Sequence, residues 1–325
     1  MGSVCVSGEW CADGRMVCGM STYQERMLRY EERARELALG DQSENLKKAA
    51  EVIAGADCLV IGGAAGLSAV DGLDYQSEAV LKREFPYLWE LGYKSLWQAM
   101  WDDARWNHAQ KWCIHAAEIR WCYYEMPVLK AYRNLLDIVK DKDYFVLSSN
   151  IDEQFVKAGF RRDRIFSPQN SMIRFQCSVP CCKDIWDGRD GYYHILEVAD
   201  LEHVGCTDEM LPFCPHCGAP AAWNMRGRAS FIPDEVMALR PAFEKYIEDA
   251  RDKKVVFMEM GAGFNTPGVI RHGFQRLTRL YPNATLIRFN RDYPIIPEKI
   301  RDKGIEIGGD MGEALEKIKT ELGAV

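Results

Sequence analysis

The chain has 325 residues, 47% hydrophobic and 27% charged, with a formal net charge of -7. At roughly 150 residues per domain this fits one large domain with an insertion, or two domains, with apolar content enough for a sizeable core. No basic tract supports nucleic-acid binding, and no apolar run approaches the roughly 20 residues that a membrane helix needs.

The opening MGSVCVSGEWCADGRMVCGM lacks the charged start and apolar core of a signal peptide, so a cytoplasmic location is expected. Cys5, Cys11 and Cys18 are loosely spaced and read as part of a mobile tail rather than as a metal site or disulfide. The 12 cysteines of the chain then fit a metal site plus buried thiols better than disulfides.

Thr22–Ala54 is charged and helical in period, with Gly40 separating two helices and Ser43 expected to cap the second. Asp57–Ile61 is a short buried-strand run that leads into Gly62-Gly63-Ala64-Ala65-Gly66. A strand, a glycine-rich turn and a small-residue helix start follow in the order that nucleotide-binding folds use. Phe85–Tyr124 contains Trp89, Trp97, Trp101, Trp106, Trp112 and Trp121. These read as the core of a helical insertion, with one or two lining an acceptor channel as the sharper alternative. Trp97 and Trp101, four apart, share a helical face.

Pro127–Asp141 is amphipathic with helical period. Tyr144–Leu147 is a second buried strand, ending at Ser148-Ser149-Asn150. Further strands are expected at Arg164–Phe166, Val255–Met260, Ala284–Phe289 and Ile305–Ile307. The last three end at Gly261-Ala262-Gly263, at Asn290 and at Gly308-Gly309-Asp310. A final helix follows. Strands alternating with helices predict an α/β fold, a Rossmann-like doubly wound parallel sheet, whose ligands bind beyond the carboxyl ends of the strands.

Cys177 and Cys181 form a C-x3-C pair, and Cys214 and Cys217 a C-x2-C knuckle followed by Gly218. Two such pairs make a tetrahedral four-sulfur zinc site, closed and therefore structural. Cys182 competes with its neighbour Cys181 as a ligand, and Cys206, His194, His203 and His216 are weaker candidates.

Several segments in fixed order carry a family resemblance. Ala64-Ala65-Gly66-Leu67-Ser68 followed by Gly72-Leu73-Asp74-Tyr75 resembles the sirtuin loop "GAG-I-S…G-I-P-D-F-R". Asn150-Ile151-Asp152, with Ala158-Gly159 after it, resembles "Q-N-I-D…AG". The cysteine pairs stand where the sirtuin zinc ribbon stands. Gly261-Ala262-Gly263, Asn290-Arg291-Asp292 and Gly309-Asp310 resemble the late "G-T-S", "I-N" and "G-D" elements. The match spans roughly Ala49 to Leu315.

Three departures stand out. Asp74-Tyr75-Gln76 replaces "PDFR" without its arginine. Gln169-Asn170 replaces the usual "HG". Residues "AAWNMRGRASFIPD" stand where "F-G-E" is usual. Together they resemble the class M sirtuins, which are linked to macrodomain genes. The resemblance implies an NAD-dependent protein ADP-ribosyltransferase with structural zinc. It implies a lipoyl-carrying protein, like the glycine-cleavage H protein, as acceptor and a macrodomain ADP-ribosyl hydrolase as functional partner.

The resemblance also implies roles. Ala65, Gly66 and Ser68 border the pyrophosphate, with helix N-terminal N–H groups as donors, and Gly63 and Ala64 are further NAD-binding residues. Tyr75 covers the reactive ribose in place of phenylalanine, and Asp74 is a further NAD-binding residue. Asn150 holds the nicotinamide ribose, Asp152 bonds the nicotinamide amide, Gln169 orients the ribose, and Ser149 and Ile151 are further NAD-binding residues. Gly261, Gly263, Asn290 and Asp310 line the adenosine end, and Ala262, Asn265, Arg291 and Met311 are further NAD-binding residues. Asn150, Asp152, Gln169 and Arg226 are the expected catalytic residues. Arg226 stands where the acceptor approaches, a surface ion pair being the plain alternative, and Asn224 and Arg228 are weaker candidates.

The expected division is an N-terminal extension (1–42), a Rossmann-like domain (43–84, 129–172 and 223–325), a helical insertion (85–128) and a zinc-binding module (173–222). Glutamine accepts and donates hydrogen bonds but is not a base at neutral pH. Lysine deacylation, the rival activity, needs a base near neutrality to deprotonate a ribose hydroxyl. A non-catalytic NAD or ADP-ribose sensor is the third reading.

Overall fold

The computed structural model describes residues 9–10, 16–17, 22–227, 230–264 and 267–324. Cys5, Cys11, Cys18, Arg228 and Asn265 lie outside the described residues.

The strands that position the site are β1 (Cys58–Gly63), β2 (Tyr144–Ser148), β3 (Ile165–Phe166), β4 (Asn170–Cys177), β5 (Ile185–Asp187), β6 (Ala221–Met225), β7 (Val255–Met260), β8 (Thr285–Phe289) and β9 (Gly304–Ile307). Six make one parallel sheet in the order β9-β8-β7-β1-β2-β3. The expected doubly wound α/β sheet is therefore present.

Every residue of β1 and β7 is buried, as strands covered on both faces require. Side chains alternate between the faces. Leu59, Ile61, Val256 and Met258 pack with Leu46, Ile53, Leu135, Ile138, Leu315 and Ile318, from helices Ser43–Ala54, Lys130–Val139 and Met311–Leu322. Cys58, Val60, Val255 and Phe257 pack with Tyr246 and Phe274, from helices Arg240–Asp249 and Arg271–Leu280. The period of two along each strand thus divides the core into two layers.

The chain leaves β1 toward β2 on one side and reaches β7 on the other, so the strand order reverses between β1 and β7. Here the two following loops meet backbone to backbone. Ala64 N–H donates to the Met260 carbonyl at 3.0 Å and Gly66 N–H to the Gly261 carbonyl at 3.2 Å. A Cβ on Gly66 would stand 2.7 Å from Gly261 Cα. Gly261 has φ +68°, and a Cβ there would stand 2.5 Å from Gly66 Cα. Only glycine fits either position.

A second, antiparallel sheet in the order β5-β4-β6 carries the cysteine pairs at its end. It shares a core with the insertion, where Trp112 packs against Phe175, Tyr192 and Trp223 with ring centroids 5.2, 6.1 and 4.4 Å away. Trp106, Trp112 and Trp121 are buried, which supports the core reading for these three. Trp97 and Trp101 do share a face, 5.5 Å apart, but they are 41% and 56% exposed. Their helix, Leu96–Met100, is one turn long and turns this face outward.

Ser43 does not cap its helix. It is the first helical residue, with Gln42 in the cap position, and Asp41 accepts from the Ser43 N–H at 2.9 Å and hydroxyl at 2.6 Å. No described helix is long and apolar enough to cross a membrane.

Candidate active site

The loop after β2 carries Asn150 and Asp152. The Ser149 N–H donates to the Gly63 carbonyl at 2.9 Å, which ties this loop to the glycine-rich turn after β1. That turn opens the short helix Ala65–Ala69 and presents Ser68 to the same place. Ser68 Oγ donates to Asp152 Oδ2 at 2.6 Å, and the Gln154 N–H donates to Oδ1 at 3.0 Å. Burial is the main influence on Asp152 and lifts its carboxyl above the ordinary 3.8, against the pull of these donors.

Asn150 Nδ2 reaches Ser68 Oγ at 3.2 Å and Tyr132 Oη at 3.0 Å, and the two hydroxyls are 2.7 Å apart. Proton counting orients the network. The Ser68 hydrogen is committed to Asp152. Burial first, then the charge of Asp152, pushes the Tyr132 phenol well above its ordinary range and keeps it protonated. Tyr132 therefore donates to Ser68 and accepts from Asn150. The result is a one-way chain, Asn150 to Tyr132 to Ser68 to Asp152, that fixes the Asn150 carboxamide.

Tyr132 has no place among the residues expected from sequence. It lies on the helix Lys130–Val139 at the spacing of Leu135 and Val139, where a tyrosine reads as core. Only its polar tip distinguishes it, and what that tip meets comes from two distant segments.

Tyr75 is clamped from the insertion. Its ring meets Trp121 edge-on at 5.8 Å, and its buried hydroxyl is pushed well above the ordinary phenol range, by burial first and then by the neighbouring Cys122. Asp74 accepts from the Gln76 N–H at 2.9 Å and so shapes the turn.

The adenosine end predicted from sequence is a set of loops braced from behind. Asn290 Nδ2 donates to the Ala262 carbonyl at 2.8 Å, while Oδ1 accepts from the N–H groups of Asp292 and Tyr293 at 3.1 and 2.9 Å. Its side chain is spent on shaping the loops. Asp310 caps the last helix through the Glu313 N–H at 2.9 Å, Met311 is buried, and Arg291 is exposed beside Asp292. A Cβ on Gly263 would meet nothing within 4 Å.

The sequence reading missed Arg271. It is 2% exposed, donates to the Ala262 carbonyl at 2.6 Å, and pairs with Glu259 at 3.1 Å. Arg288, also buried, holds the same carboxylate at 2.9 Å. A helix position after a glycine-rich loop gave no sign of burial for an arginine.

On the side where the acceptor is expected, the turn before β4 meets the end of β6. The Gln169 carbonyl accepts from the Arg226 N–H at 3.3 Å, so these two residues are brought together. Gln169 is half-buried, its carboxamide has no hydrogen-bond partner among the described residues, and Arg226 is exposed. Asn224 is not available to an acceptor. It is fully buried, donating to Gln176 Oε1 at 2.6 Å and the Ile232 carbonyl at 2.9 Å, with Asn170 donating to its own Oδ1. A cleft of about 110 Å³ runs beneath, lined by Asn150, Asp152, Ser167, Asn170 and Glu235 among others. A larger surface groove of about 420 Å³, beside the helix Thr22–Leu39 and β9, holds none of the residues expected at the site.

No family model matches the chain. A structure of a Sir2 homologue in complex with NAD aligns at TM-score 0.52 and 16% identity, covering 86% of this chain and 94% of that one. A structure described as a basis of sirtuin substrate affinity aligns at TM-score 0.56 and 15% identity, over 85% and 98%. This chain has the sirtuin fold.

Two curated relatives are nearer in sequence to this sirtuin-fold chain. A protein ADP-ribosyltransferase of Staphylococcus aureus is 29% identical over 259 residues, 79% of this chain and 81% of that protein. A probable bifunctional ADP-ribose hydrolase/ADP-ribosyltransferase of Fusarium oxysporum f. sp. cubense is 28% identical over 296 residues. The match covers 83% of this chain but 47% of that longer protein.

Cys177, Cys181, Cys214 and Cys217 converge, with their sulfurs within 4.8 Å of one another. Cys177 and Cys217 are 3.6 Å apart and Cys181 and Cys214 3.7 Å. Sulfurs about 2.3 Å from a tetrahedral zinc stand about 3.8 Å apart, so the set fits zinc. The Cys181 N–H is the main cause that lowers the Cys177 thiol to about 7, a start toward the thiolate that a metal requires. Cys182 is outside this set, which decides for Cys181. His216 lies between the second pair but faces Asp184. Five of the six histidines, His108, His194, His203, His216 and His272, are exposed. His115 is buried against Glu118 at 2.6 Å.

Proposed function

We propose that this protein transfers ADP-ribose from NAD to a protein acceptor with release of nicotinamide. The activity is that of an NAD-dependent, sirtuin-type ADP-ribosyltransferase, supported by relatives named as ADP-ribosyltransferases and by a fold whose solved examples hold NAD and ADP-ribose. The observation that carries the reading is the pairing of an ordered Asn150 with a Gln169 whose carboxamide has no partner among the described residues, where deacylating sirtuins have a histidine.

The chemistry divides accordingly. Opening the glycosidic bond needs the ribose held and the nicotinamide released with its electron pair. Asn150, fixed by the Tyr132–Ser68–Asp152 chain, suits holding the ribose, and Asp152 suits the nicotinamide amide. Gln169 can orient a ribose hydroxyl but cannot take its proton. An acceptor nucleophile then bonds to the anomeric carbon and loses its own proton to solvent. Arg226, exposed beside Gln169, is placed to steer that acceptor. The loops at Gly63–Gly66 and Gly261–Gly263 serve the pyrophosphate and adenosine. Cys177, Cys181, Cys214 and Cys217 would hold the zinc, which would cross-link the small module and supply no step of the reaction.

The finer reading names the acceptor as a lipoyl-carrying protein like the glycine-cleavage H protein, with a macrodomain hydrolase as the reversing partner. Its support is the resemblance of the three departures to class M sirtuins. The fungal relative named for both hydrolase and transferase activities adds support for the pairing.

Labelled NAD incubated with the protein and a lipoylated carrier should label the carrier, and Asn150→Ala should abolish the labelling. Acyl-peptide substrates in parallel separate the rival, because a deacylase releases O-acyl-ADP-ribose. Acyl loss with no labelling of the carrier would sink the proposal. Tight NAD binding with no nicotinamide release from any mixture would point to a sensor instead.

A further inference from the structure

We propose that Cys182, Asp184 and His216 form a second metal site beside the four-cysteine site, for a divalent cation with the ligand preference of zinc. The three donor atoms, Sγ, a carboxylate oxygen and an imidazole nitrogen, lie within 4.8 Å of one another. His216 Nε2 is 2.7 Å from Asp184 Oδ2. Donors around a tetrahedral zinc, bonded at about 2.0–2.3 Å, stand about 3.3–3.8 Å apart. Metal entry therefore needs His216 and Asp184 to part by less than about 1 Å and the Cys182 sulfur to draw in. Asp184 and His216 are exposed and Cys182 is half-buried, so the two exposed side chains can make most of that adjustment.

The backbone beneath them is already set. Cys182 follows Cys181, and His216 sits between Cys214 and Cys217, so the first metal fixes two of the three new ligands. The knuckle that presents the imidazole is pinned by its backbone, with the Gly218 N–H donating to the Cys214 carbonyl at 3.0 Å and the Cys214 N–H to the Ala219 carbonyl at 2.7 Å. Little further chain entropy is lost when the second ion binds.

The donor set selects the ion. A thiolate, an imidazole and a carboxylate are a mixed, borderline set that suits zinc over magnesium or calcium. Three protein ligands leave a fourth position for water or an incoming ligand, unlike the closed four-sulfur site. Asp184 and His216 have side chains 63% and 49% exposed, so this ion exchanges with solvent. The first site keeps all four of its ligands, and Cys182 has no part in it.

The test uses the full chain. It is equilibrated with excess zinc, dialysed with and without a mild chelator, and analysed for metal per chain. The expected result is two equivalents, of which the chelator removes one. Cys182→Ser and His216→Ala should each bind a single equivalent. His216→Ala, a surface change, should keep the parent melting temperature and so exclude misfolding. Cobalt added to protein whose first site is filled with zinc should give a thiolate-to-cobalt absorption band that Cys182→Ser lacks. A single equivalent in excess zinc overturns the proposal, as does a second equivalent that survives both substitutions.

Discussion

Tyr132→Phe deletes one buried hydroxyl and nothing else. That hydroxyl accepts from Asn150 at 3.0 Å and donates to Ser68 at 2.7 Å, so two hydrogen bonds go. At about 0.5–1.5 kcal/mol each the expected loss is about 1–3 kcal/mol. For a chain of this length, roughly 2 °C per kcal/mol puts the fall in melting temperature at a few degrees. Asn150 retains its bond to Ser68 and becomes free to rotate about it. If about 1.4 kcal/mol of that lost constraint is felt in the transition state, nicotinamide release slows about tenfold. Steady-state release of nicotinamide, with acceptor present, reads the rate, and a thermal melt reads the stability. The double variant with Asn150→Ala should be no slower than Asn150→Ala alone, because Tyr132 acts through Asn150. A Tyr132→Phe protein with parental rate and parental melt would refute the directed chain.

Other outcomes follow from the same geometry. Gly66→Ala and Gly261→Ala place a Cβ 2.7 and 2.5 Å from opposing backbone, so each should cost about 2–5 kcal/mol and abolish NAD binding, read by melts with and without NAD. Trp112→Ala should lose about 3–5 kcal/mol and Trp97→Ala less than about 1, by chemical denaturation, since Trp112 is 1% and Trp97 41% exposed. Cys214→Ser should release zinc and lower the melting temperature, with metal analysis as the check. Asp152 has its folded pKa raised above 3.8, so its contribution to stability is fully present below that value and lost as pH rises through the folded pKa. Melts of the parent and Asp152→Asn from pH 3 upward should therefore shift in favour of the variant, even as nicotinamide release is lost.

Much of this protein was legible in its residues. Buried-strand runs such as Val255–Met260, interrupted by helical periods, predict a parallel sheet because each strand is apolar on both faces. The cysteine spacings specify a four-sulfur site because two short knuckles can place sulfurs at the corners of a tetrahedron. Asn150, Asp152 and Gln169 stand in local motifs, so sequence alone marks them. Local pattern does not say which distant groups meet. The contact of Gly66 with Gly261, 195 positions apart, depends on β1 and β7 becoming neighbours at the reversal of strand order. Tyr132 reads as core until Ser68 and Asn150 close around its hydroxyl, and Arg271 reads as surface until Glu259 and Arg288 enclose it. Asn224 follows the opposite course, from acceptor candidate to buried strut. Cys181 and Cys182 are equivalent in one dimension, and the fold separates them because only one sulfur points at the other three. Sequence fixes residue types and spacing, while the packing of segments far apart in the chain decides which polar groups are spent on structure and which are left for chemistry.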